Sequence, residues 1–192
     1  MKKNVNVGRC KMFERIPSPL LRGVAEWLFS LGLAALLFFV IRGFILRTAH
    51  VDGHSMSPTL EHGDMVVLNR FAYVIGGPRV GDIVAFPYAG NPDEHYIKRI
   101  IAAPGDVVNL REGAFWVNDY LLDDSFSEEQ IISFGDASFP ILVEDGHFFV
   151  LGDNRNGSRD SRFSSVGTVP AEDMVGRVAV RIWPLGRLGS VD

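Results

Sequence analysis

The chain contains 192 residues, of which 47% are hydrophobic and 22% are charged, and its formal net charge is −4 at pH 7. Acidic side chains outnumber basic ones among residues 47–192, by 21 to 12, which excludes the basic surface that nucleic-acid binding requires. Cys10 is the only cysteine, so the chain has no internal disulfide and must be stabilised by packing alone.

The N-terminal region is typical of a membrane anchor preceded by a basic tail. Residues 1–22 hold six basic side chains and one acidic one, and residues 27–41 contain no charge. With Arg42 included, the apolar run continues to Leu46. As a helix these residues would be about 30 Å long, close to the hydrocarbon thickness of a bilayer. We therefore predict a single transmembrane helix over residues 23–46.

Two other interpretations of this run are weaker. A cleavable signal peptide would need small residues at its cleavage site, and Arg47-Thr48-Ala49 is a poor match. A buried core helix is the second alternative, but the run is apolar on all sides and unbroken. With an anchor, the excess of basic residues before the span places residues 1–22 in the cytoplasm and residues 47–192 outside it.

After Leu46 the sequence favours short strands separated by glycine, proline and asparagine. The predicted strands cover residues 64–69, 82–86, 96–101, 107–110, 114–117, 146–151 and 175–182. Turn residues at 111–113 and 118–119 predict a small meander over 107–122. The acidic, irregular residues 123–145 predict an exposed loop or a variable insertion. We expect a mainly β domain, a curved sheet or partly closed barrel with few or no long helices.

Ser55, in the segment GHSMSPTL at 53–60, is a candidate nucleophile. A serine hydroxyl is weakly nucleophilic until a base removes its proton, and the usual base is histidine. The chain has five histidines. His54 adjoins Ser55 and would point to the opposite face of an extended segment. The sequence therefore favours no histidine as the base.

Lys98 is the alternative base, within the apolar strand predicted at 96–101. Alternation places Lys98 on the same face as Tyr96 and Ile100, and Arg99 on the other face. Taken alone, the strand permits two interpretations: a lysine that extends from a sheet edge to solvent, or a buried lysine that is neutral at working pH. Burial can lower the lysine pKa from about 10.4 by ~3–5 pH units, which would yield a general base near neutral pH.

The segment GDNRNGSRDSR at 152–162 concentrates hydroxyl, carboxylate and guanidinium groups. By itself it also permits two interpretations. It could be a solvated surface loop with an exposed Asp160–Arg162 pair. It could instead be a set of side chains that orients a catalytic residue.

Three segments occur in order: Gly-x-Ser-Met-x-Pro-Thr-Leu at 53–60, Tyr-Ile-Lys-Arg-x-x-x-x-Pro-Gly-Asp at 96–106, and Gly-Asp-Asn-Arg-x-x-Ser-x-Asp-Ser-Arg at 152–162. Together, and with a further match at 80–86, they resemble the type I signal peptidases, the bacterial leader peptidases. The similarity extends from the hydrophobic run to about residue 182. It favours the catalytic interpretation of Lys98 and the orienting interpretation of 152–162.

The resemblance implies a Ser/Lys dyad on a β-rich catalytic domain. Ser55 would attack the scissile carbonyl to form an acyl-enzyme, and Lys98 would accept its proton and later activate water. Ser158 matches a serine that hydrogen-bonds and orients the lysine, and the Ser55 N–H matches one oxyanion-hole donor. Some members supply the second donor from a serine two residues before the nucleophile. Here that residue is Gly53, so a main-chain N–H or water would have to replace it.

Two further groups of positions match the family. Those that brace the site are Arg99, Asp153, Asp160 and Arg162, with Asp153 paired with Arg99. Those that match the apolar lining of the substrate cleft are Val51, Met56, Leu60, Tyr96 and Ile97.

The implied activity is removal of N-terminal signal peptides from exported preproteins, after small residues at −1 and −3, without metal or cofactor. The partners would be signal peptides, membrane lipid and, by proximity, the secretion translocon; nucleic acid is not expected. Lys98 argues against the eukaryotic and archaeal relatives, which carry histidine there. Organellar relatives are compatible with it, and a single-pass protein of the bacterial inner (plasma) membrane is the simpler interpretation. Two alternatives stay open: a Ser/Lys peptidase for one secreted or pilus-associated substrate, and an inactive membrane-tethered binding module.

Overall fold

The computed structural model describes residues 18–40, 46–88, 90–123 and 131–191. The chain divides into two units, residues 1–43 and 44–192. Parts of three predicted segments lie outside the described residues: 1–17 of the basic tail, including Cys10; 41–45 of the anchor; and 124–130 of the loop.

The first unit contains helix α1, Pro19–Val40. Its sequence is rich in leucine and phenylalanine, and large apolar side chains such as Trp27, Leu36 and Phe39 are exposed. Within the described ranges, no helix has both the length and the hydropathy needed to cross a membrane.

The second unit is mainly β, as predicted, and its strands form two antiparallel sheets. The strands are β1 Leu46–His50, β2 Met65–Asn69, β3 Ile83–Tyr88, β4 Asn91–Ala102, β5 Val107–Arg111, β6 Ala114–Val117, β7 Tyr120–Leu121, β8 Ile141–Leu142, β9 His147–Leu151, β10 Val169–Pro170, β11 Gly176–Trp183 and β12 Gly189–Ser190. A short helix, α2 Phe71–Ile75, follows β2, and 3₁₀ turns form at Ala171–Asp173 and Leu185–Arg187. The larger sheet has the order β1-β2-β11-β3-β4-β9-β10, with β12 paired to β11, and the smaller sheet has the order β7-β6-β5-β8.

The seven predicted strands are all present. Some of them, such as β2, alternate as the pleat requires when one face is buried, whereas β3 and β9 are nearly continuous buried runs. In β2, for example, Val66 and Leu68 are buried, and the residues between and beside them are only partly buried. The predicted meander is also confirmed. Asn118 and Asp119, which join β6 to β7, have φ of 51° and 65°, the backbone of a two-residue type I′ hairpin that favours these residue types.

Residues 131–145, part of the loop or insertion predicted at 123–145, are mostly exposed, but four apolar side chains tie the segment to the core. Ile131 and Val143 are buried, and Phe139 and Ile141 pack against the same core cluster as Phe115. The backbone N–H groups of residues 136 and 137 both donate to the carbonyl of Arg162. This segment therefore covers part of the smaller sheet and braces the 152–162 segment, despite its acidic and irregular sequence.

Strand β1 was not predicted. Leu46, taken as the last residue of the anchor, is the first residue of β1, which pairs along its whole length with β2. The sequence LRTAH has no apolar alternation, so this strand depends on its neighbour rather than on a local pattern.

The core beneath the β1–β2 connection determines where Ser55 lies. Met56 and Leu60 in that connection are buried against Val66, Leu68 and Val178 of the larger sheet. Burying side chains of this size stabilises the fold by about 1.5–3 kcal/mol each, so the segment that carries Ser55 is packed against the sheet.

Candidate active site

Ser55 lies in the connection between β1 and β2, residues 51–64, which we call the Ser55 loop. Two backbone hydrogen bonds close the loop at its neck: Val51 N–H donates to Asp64 O at 2.8 Å, and Gly63 N–H donates to Val51 O at 2.9 Å. Ser55 is half-buried, between the buried Met56 on one side and an exposed His54 on the other. The loop thus holds one hydroxyl at the edge of the core.

Lys98 reaches this hydroxyl from β4. Its side chain is buried, with a residue exposure of 3%. Its Nζ donates to Ser55 Oγ at 2.8 Å and to Ile97 O at 2.9 Å, and it lies 4.9 Å from the centre of the Tyr96 ring. The structure therefore brings together the serine and lysine that the sequence singled out, and it buries the lysine rather than exposing it at a sheet edge.

Burial lowers the pKa of Lys98 to about 8. Asp160 and Asp153 oppose this change because their charges favour the ammonium form, and Arg162 adds to it. A fraction of the lysine on the order of one tenth is then neutral at pH 7. A neutral Nζ at 2.8 Å from a hydroxyl oxygen can accept its proton, which is the geometry required of a general base.

The segment 152–162 is a buried network of charges, not a solvated loop. Asp160 and Arg162 are each 0% exposed; Arg162 Nε lies 2.7 Å from Asp160 Oδ1 and Nη2 lies 2.8 Å from Oδ2. Gly152 N–H also donates to Asp160, at 3.0 Å. Arg162 further donates to the carbonyl of Ser133. A buried pair with its remaining atoms bonded in this way fixes the backbone around it.

Asp153 connects this network to both candidate catalytic residues. It pairs with Arg99, the neighbour of Lys98, through Nε to Oδ1 at 2.9 Å and Nη2 to Oδ2 at 2.8 Å, and both side chains are buried. Thr59 in the Ser55 loop donates to Asp153 Oδ2 at 2.6 Å. Asn154 N–H donates to Ser55 O at 3.1 Å. The carboxylate of Asp153 thus joins the strand that carries the lysine to the loop that carries the serine.

Ser158 differs from its expected role. It is buried, but its Oγ has no hydrogen-bond partner within the described part of the chain, so the expected bond to Lys98 is absent. Lys98 Nζ is directed to Ser55 and Ile97 instead. Ser158 Oγ lies against Gly152, where a Cβ would collide with it and with the Ser55 carbonyl. Gly152 therefore permits the close approach of these two serines, a requirement that sequence reasoning missed.

The backbone of Gly53 has an unusual conformation, and its N–H group already has a hydrogen-bond partner. Its φ is +109°, a value that a residue with a side chain rarely adopts. Its N–H donates to His62 Nδ1 at 3.2 Å, and His62 Nδ1 lies 3.3 Å from Asp52 Oδ1. In this geometry the Gly53 N–H is directed to His62, so it supplies no second donor for an oxyanion.

A cleft of about 330 Å³ opens at Ser55 and Lys98. It is lined by residues 50–56 and 94–98, together with Gly157 and Arg159. Of the five residues expected to line a substrate cleft, Val51, Met56, Tyr96 and Ile97 do so. Leu60 does not, because it is fully buried in the core below the loop.

The chain was compared with known proteins. Residues 24–183 match the family model of signal peptidase, peptidase S26. The chain belongs to the signal peptidase family. The resemblance inferred from the three segments is confirmed, and as a member of this family the chain is a serine endopeptidase.

Two relatives illustrate the similarity within the signal peptidase family. Signal peptidase I of Leptolyngbya laminosa is 37% identical over 182 residues, covering 91% of this chain and 85% of the relative. Signal peptidase IB of Staphylococcus aureus (strain COL) is 31% identical over 176 residues, covering 84% and 90%. The crystal structure of a signal peptidase I from Enterococcus faecalis V583 is 29% identical, with a TM-score of 0.46 over 55% of this chain and 99% of that chain.

In the portion of the chain that the structure describes, no group of three or more His, Cys, Asp or Glu side chains is arranged to hold a metal ion. The residues that sequence reasoning missed are Thr59, Gly152 and Asn154, which join the Ser55 loop to the charged network. Thr59 lies inside the segment that carries the family resemblance, so its position alone was a usable signal.

Proposed function

We propose that the chain removes signal peptides from exported preproteins, with Ser55 as nucleophile and Lys98 as general base. The observation that carries this proposal is the 2.8 Å hydrogen bond between a buried lysine and the serine hydroxyl. The family supplies the reaction class, and the contact supplies the two groups that this class needs.

The reaction follows from these two groups. Neutral Lys98 accepts the Ser55 proton as Oγ attacks the scissile carbonyl, which gives a tetrahedral intermediate and a lysine ammonium. The intermediate collapses, the C–N bond breaks, and the ammonium returns the proton to the amine of the leaving mature protein. Lys98 is then neutral again and accepts a proton from water, which attacks the acyl-enzyme ester. The bond between Ser55 Oγ and the acyl carbon breaks, Lys98 returns the proton to Oγ, and the signal peptide is released. The Ser55 N–H donates to the oxyanion in both steps.

The braces and the cleft have separate roles in this proposal. Asp153, Arg99, Asp160 and Arg162 hold β4 and the Ser55 loop in register, and Ser158 limits the space beside the dyad. Val51, Met56, Tyr96 and Ile97 form the apolar wall against which small residues at −1 and −3 pack. A wall made of closely packed apolar side chains leaves little room for a large side chain at either position.

Cleavage of several unrelated preproteins by the full-length chain tests this function. We expect each to be cut once, after a small residue at −1 with a small residue at −3. Replacing Ala at −1 with Phe in the same preprotein should lower kcat/KM by about 5- to 150-fold or more, since overpacking a tight pocket costs ~1–3 kcal/mol or more. Mass spectrometry of both products identifies the cut site. Cleavage of one preprotein alone would favour a specialised peptidase, and binding without cleavage would favour a binding module.

The membrane part of the proposal is a single-pass anchor that starts at residue 23 and ends before Leu46, the first residue of β1, in a bacterial inner (plasma) membrane. Three features support it: the uncharged run at 27–41, which continues past the last described residue of α1; the exposed apolar side chains of α1; and the basic tail. The catalytic residues begin nine positions after Leu46, which suits a substrate whose signal sequence is itself in the bilayer, near the translocon.

Cys10 offers a direct test of this topology, because it is the only cysteine. In protoplasts, a membrane-impermeant maleimide should label Cys10 only after permeabilisation. A Cys10→Ser, Ser190→Cys chain is the matched control, since Ser190 is exposed in β12, and it should be labelled in intact protoplasts. Labelling of Cys10 in intact protoplasts would contradict the orientation.

A further inference from the structure

A second cluster of charges, centred on the buried Asp64, joins the Ser55 loop to a distant part of the chain. Asp64 ends the loop, and its side chain is 2% exposed. Its Oδ2 accepts from Glu61 N–H at 3.0 Å and from Arg181 Nη1 at 3.1 Å, and its Oδ1 lies 3.6 Å from Arg187 Nη1. A buried carboxylate needs such partners, so Asp64 fixes the end of the loop relative to both arginines.

The two arginines also bind the backbone of the loop. Arg181 Nη1 donates to Thr59 O at 2.9 Å, and Arg187 Nη2 donates to Pro58 O at 3.2 Å. Arg181 Nε donates to Arg187 O at 2.7 Å, which ties the two residues together. Two carbonyls and one carboxylate of the loop therefore converge on guanidinium groups from β11 and from the 3₁₀ turn Leu185–Arg187.

Residue Thr59, whose carbonyl accepts from Arg181, also contacts the Asp153 network through its side chain. Thr59 Oγ1 donates to Asp153, which in turn pairs with Arg99 beside Lys98. The turn at 58–59 is thus bonded to two ion-pair clusters. Ser55 lies in the same loop, so a displacement of this turn changes the distance from Ser55 Oγ to Lys98 Nζ. Misplacing a reacting group by about 1 Å can lower a rate about 10²-fold.

We propose that Asp64, Arg181 and Arg187 are positioning residues that keep Ser55 Oγ within hydrogen-bond distance of Lys98 Nζ. They act through the loop backbone. This inference rests on the proposed function, in which Ser55 and Lys98 carry out the reaction.

Arg187→Ala is the principal test, because Arg187 is 37% exposed and its loss leaves Asp64 bonded to Arg181. With full-length chain and a synthetic peptide that has Ala at −1 and −3, we expect kcat to fall about tenfold or more, with KM changed less than about twofold. The pH of half-maximal activity should rise, because a displaced Ser55 leaves Lys98 more hydrated. Arg187→Lys keeps the cation and should recover part of kcat.

Arg177→Ala is the matched control. Arg177 lies in β11, as Arg181 does, is 43% exposed, and pairs with Asp82 at 3.4 Å. This variant should keep the wild-type kcat and pH profile. Equal losses in Arg177→Ala and Arg187→Ala would overturn the inference, because they would reflect stability in general.

Two further variants separate the possible failures. Arg181→Lys keeps a charge beside Asp64. If Arg187→Ala does not fold, Arg181→Lys and Arg187→Lys test the inference instead, by the same measurements of kcat, KM and pH profile. Wild-type kcat and pH profile in the Arg187 and Arg181 variants would show the inference to be wrong. Ser55→Ala is assayed in parallel: if it is inactive while those variants are normal, only this inference fails, and if it is active, the proposed function fails.

Discussion

Replacing Ser55 with alanine is expected to lower kcat for preprotein cleavage by about 10⁴-fold or more, with the chain still folded. Ser55 Oγ accepts a hydrogen bond from Lys98 Nζ at 2.8 Å. Across the described residues, no other hydroxyl bonds to that lysine. The substitution removes one hydrogen bond from a half-buried side chain, which costs the fold only about 1 kcal/mol. Activity and stability should therefore respond very differently.

Ser57→Ala is the control for this prediction, since Ser57 lies two residues away in the same loop. Its hydroxyl donates to Glu61 Oε2 at 2.8 Å rather than to Lys98. We expect kcat within a few-fold of wild type, because the loss is again about one hydrogen bond. Single-turnover assays on one preprotein and thermal unfolding measure both effects. Near-normal cleavage by Ser55→Ala would remove Ser55 from the reaction.

Local sequence pattern was sufficient for seven strands but not for β1 or for the two-residue strands. Alternating apolar residues define a buried face within one strand, as in β2 and β11, so they can be read without knowing the partner. Strand β1 lacks this alternation, and two-residue strands such as β8 and β10 have no period to detect. The core contacts of 131–145 were also missed, because only four scattered apolar side chains make them and they contact strands far away in sequence.

The site was predictable only where its members share a motif. Ser55, Lys98 and the Arg99–Asp153 pair lie in segments that carry the family resemblance. Arg181 binds Asp64 across 117 positions, outside any such segment, and only the folded sheet brings them together. Ser158 shows the opposite limit: its burial beside the site was expected, but whether its hydroxyl reaches Lys98 depends on small displacements that residue type does not encode.

Replacing Lys98 with methionine or with arginine is expected to separate chemistry from stability. Methionine has no ionisable group, and the guanidinium of arginine stays charged at any working pH. Neither can accept the Ser55 proton, so both variants should lose about 10²–10⁴-fold or more in kcat. Their free energies of unfolding should change in opposite directions, because only one of them removes the buried charge.

The direction of each change in the free energy of unfolding follows from the two protonation states of Lys98. Its pKa is about 8 in the folded chain and 10.5 when unperturbed, so below pH 8 the folded chain carries the full cost of a buried ammonium. At 1.36 kcal/mol per pH unit this cost is about 3 kcal/mol. It declines between pH 8 and 10.5, where the folded chain has released the proton and the unfolded chain has not, and it is absent above that range. Lys98→Met should therefore be more stable than wild type by up to about 3 kcal/mol at pH 6, and by nothing above about pH 10.5. Lys98→Arg should be destabilised throughout.

The pKa of Lys98 can be measured without altering the chain, because the only other lysines are Lys2, Lys3 and Lys11. With isotope-labelled lysine, NMR should show one amine that titrates near pH 8, below the reference value of about 10.4 for lysine. The logarithm of kcat/KM should rise with unit slope up to the same pH and then level off. If no lysine titrated near pH 8 while activity still levelled off there, a different group would be the base. Agreement of the two curves would identify Lys98 as the proton acceptor. The same residue, through its buried charge, makes the wild-type fold less stable at neutral pH.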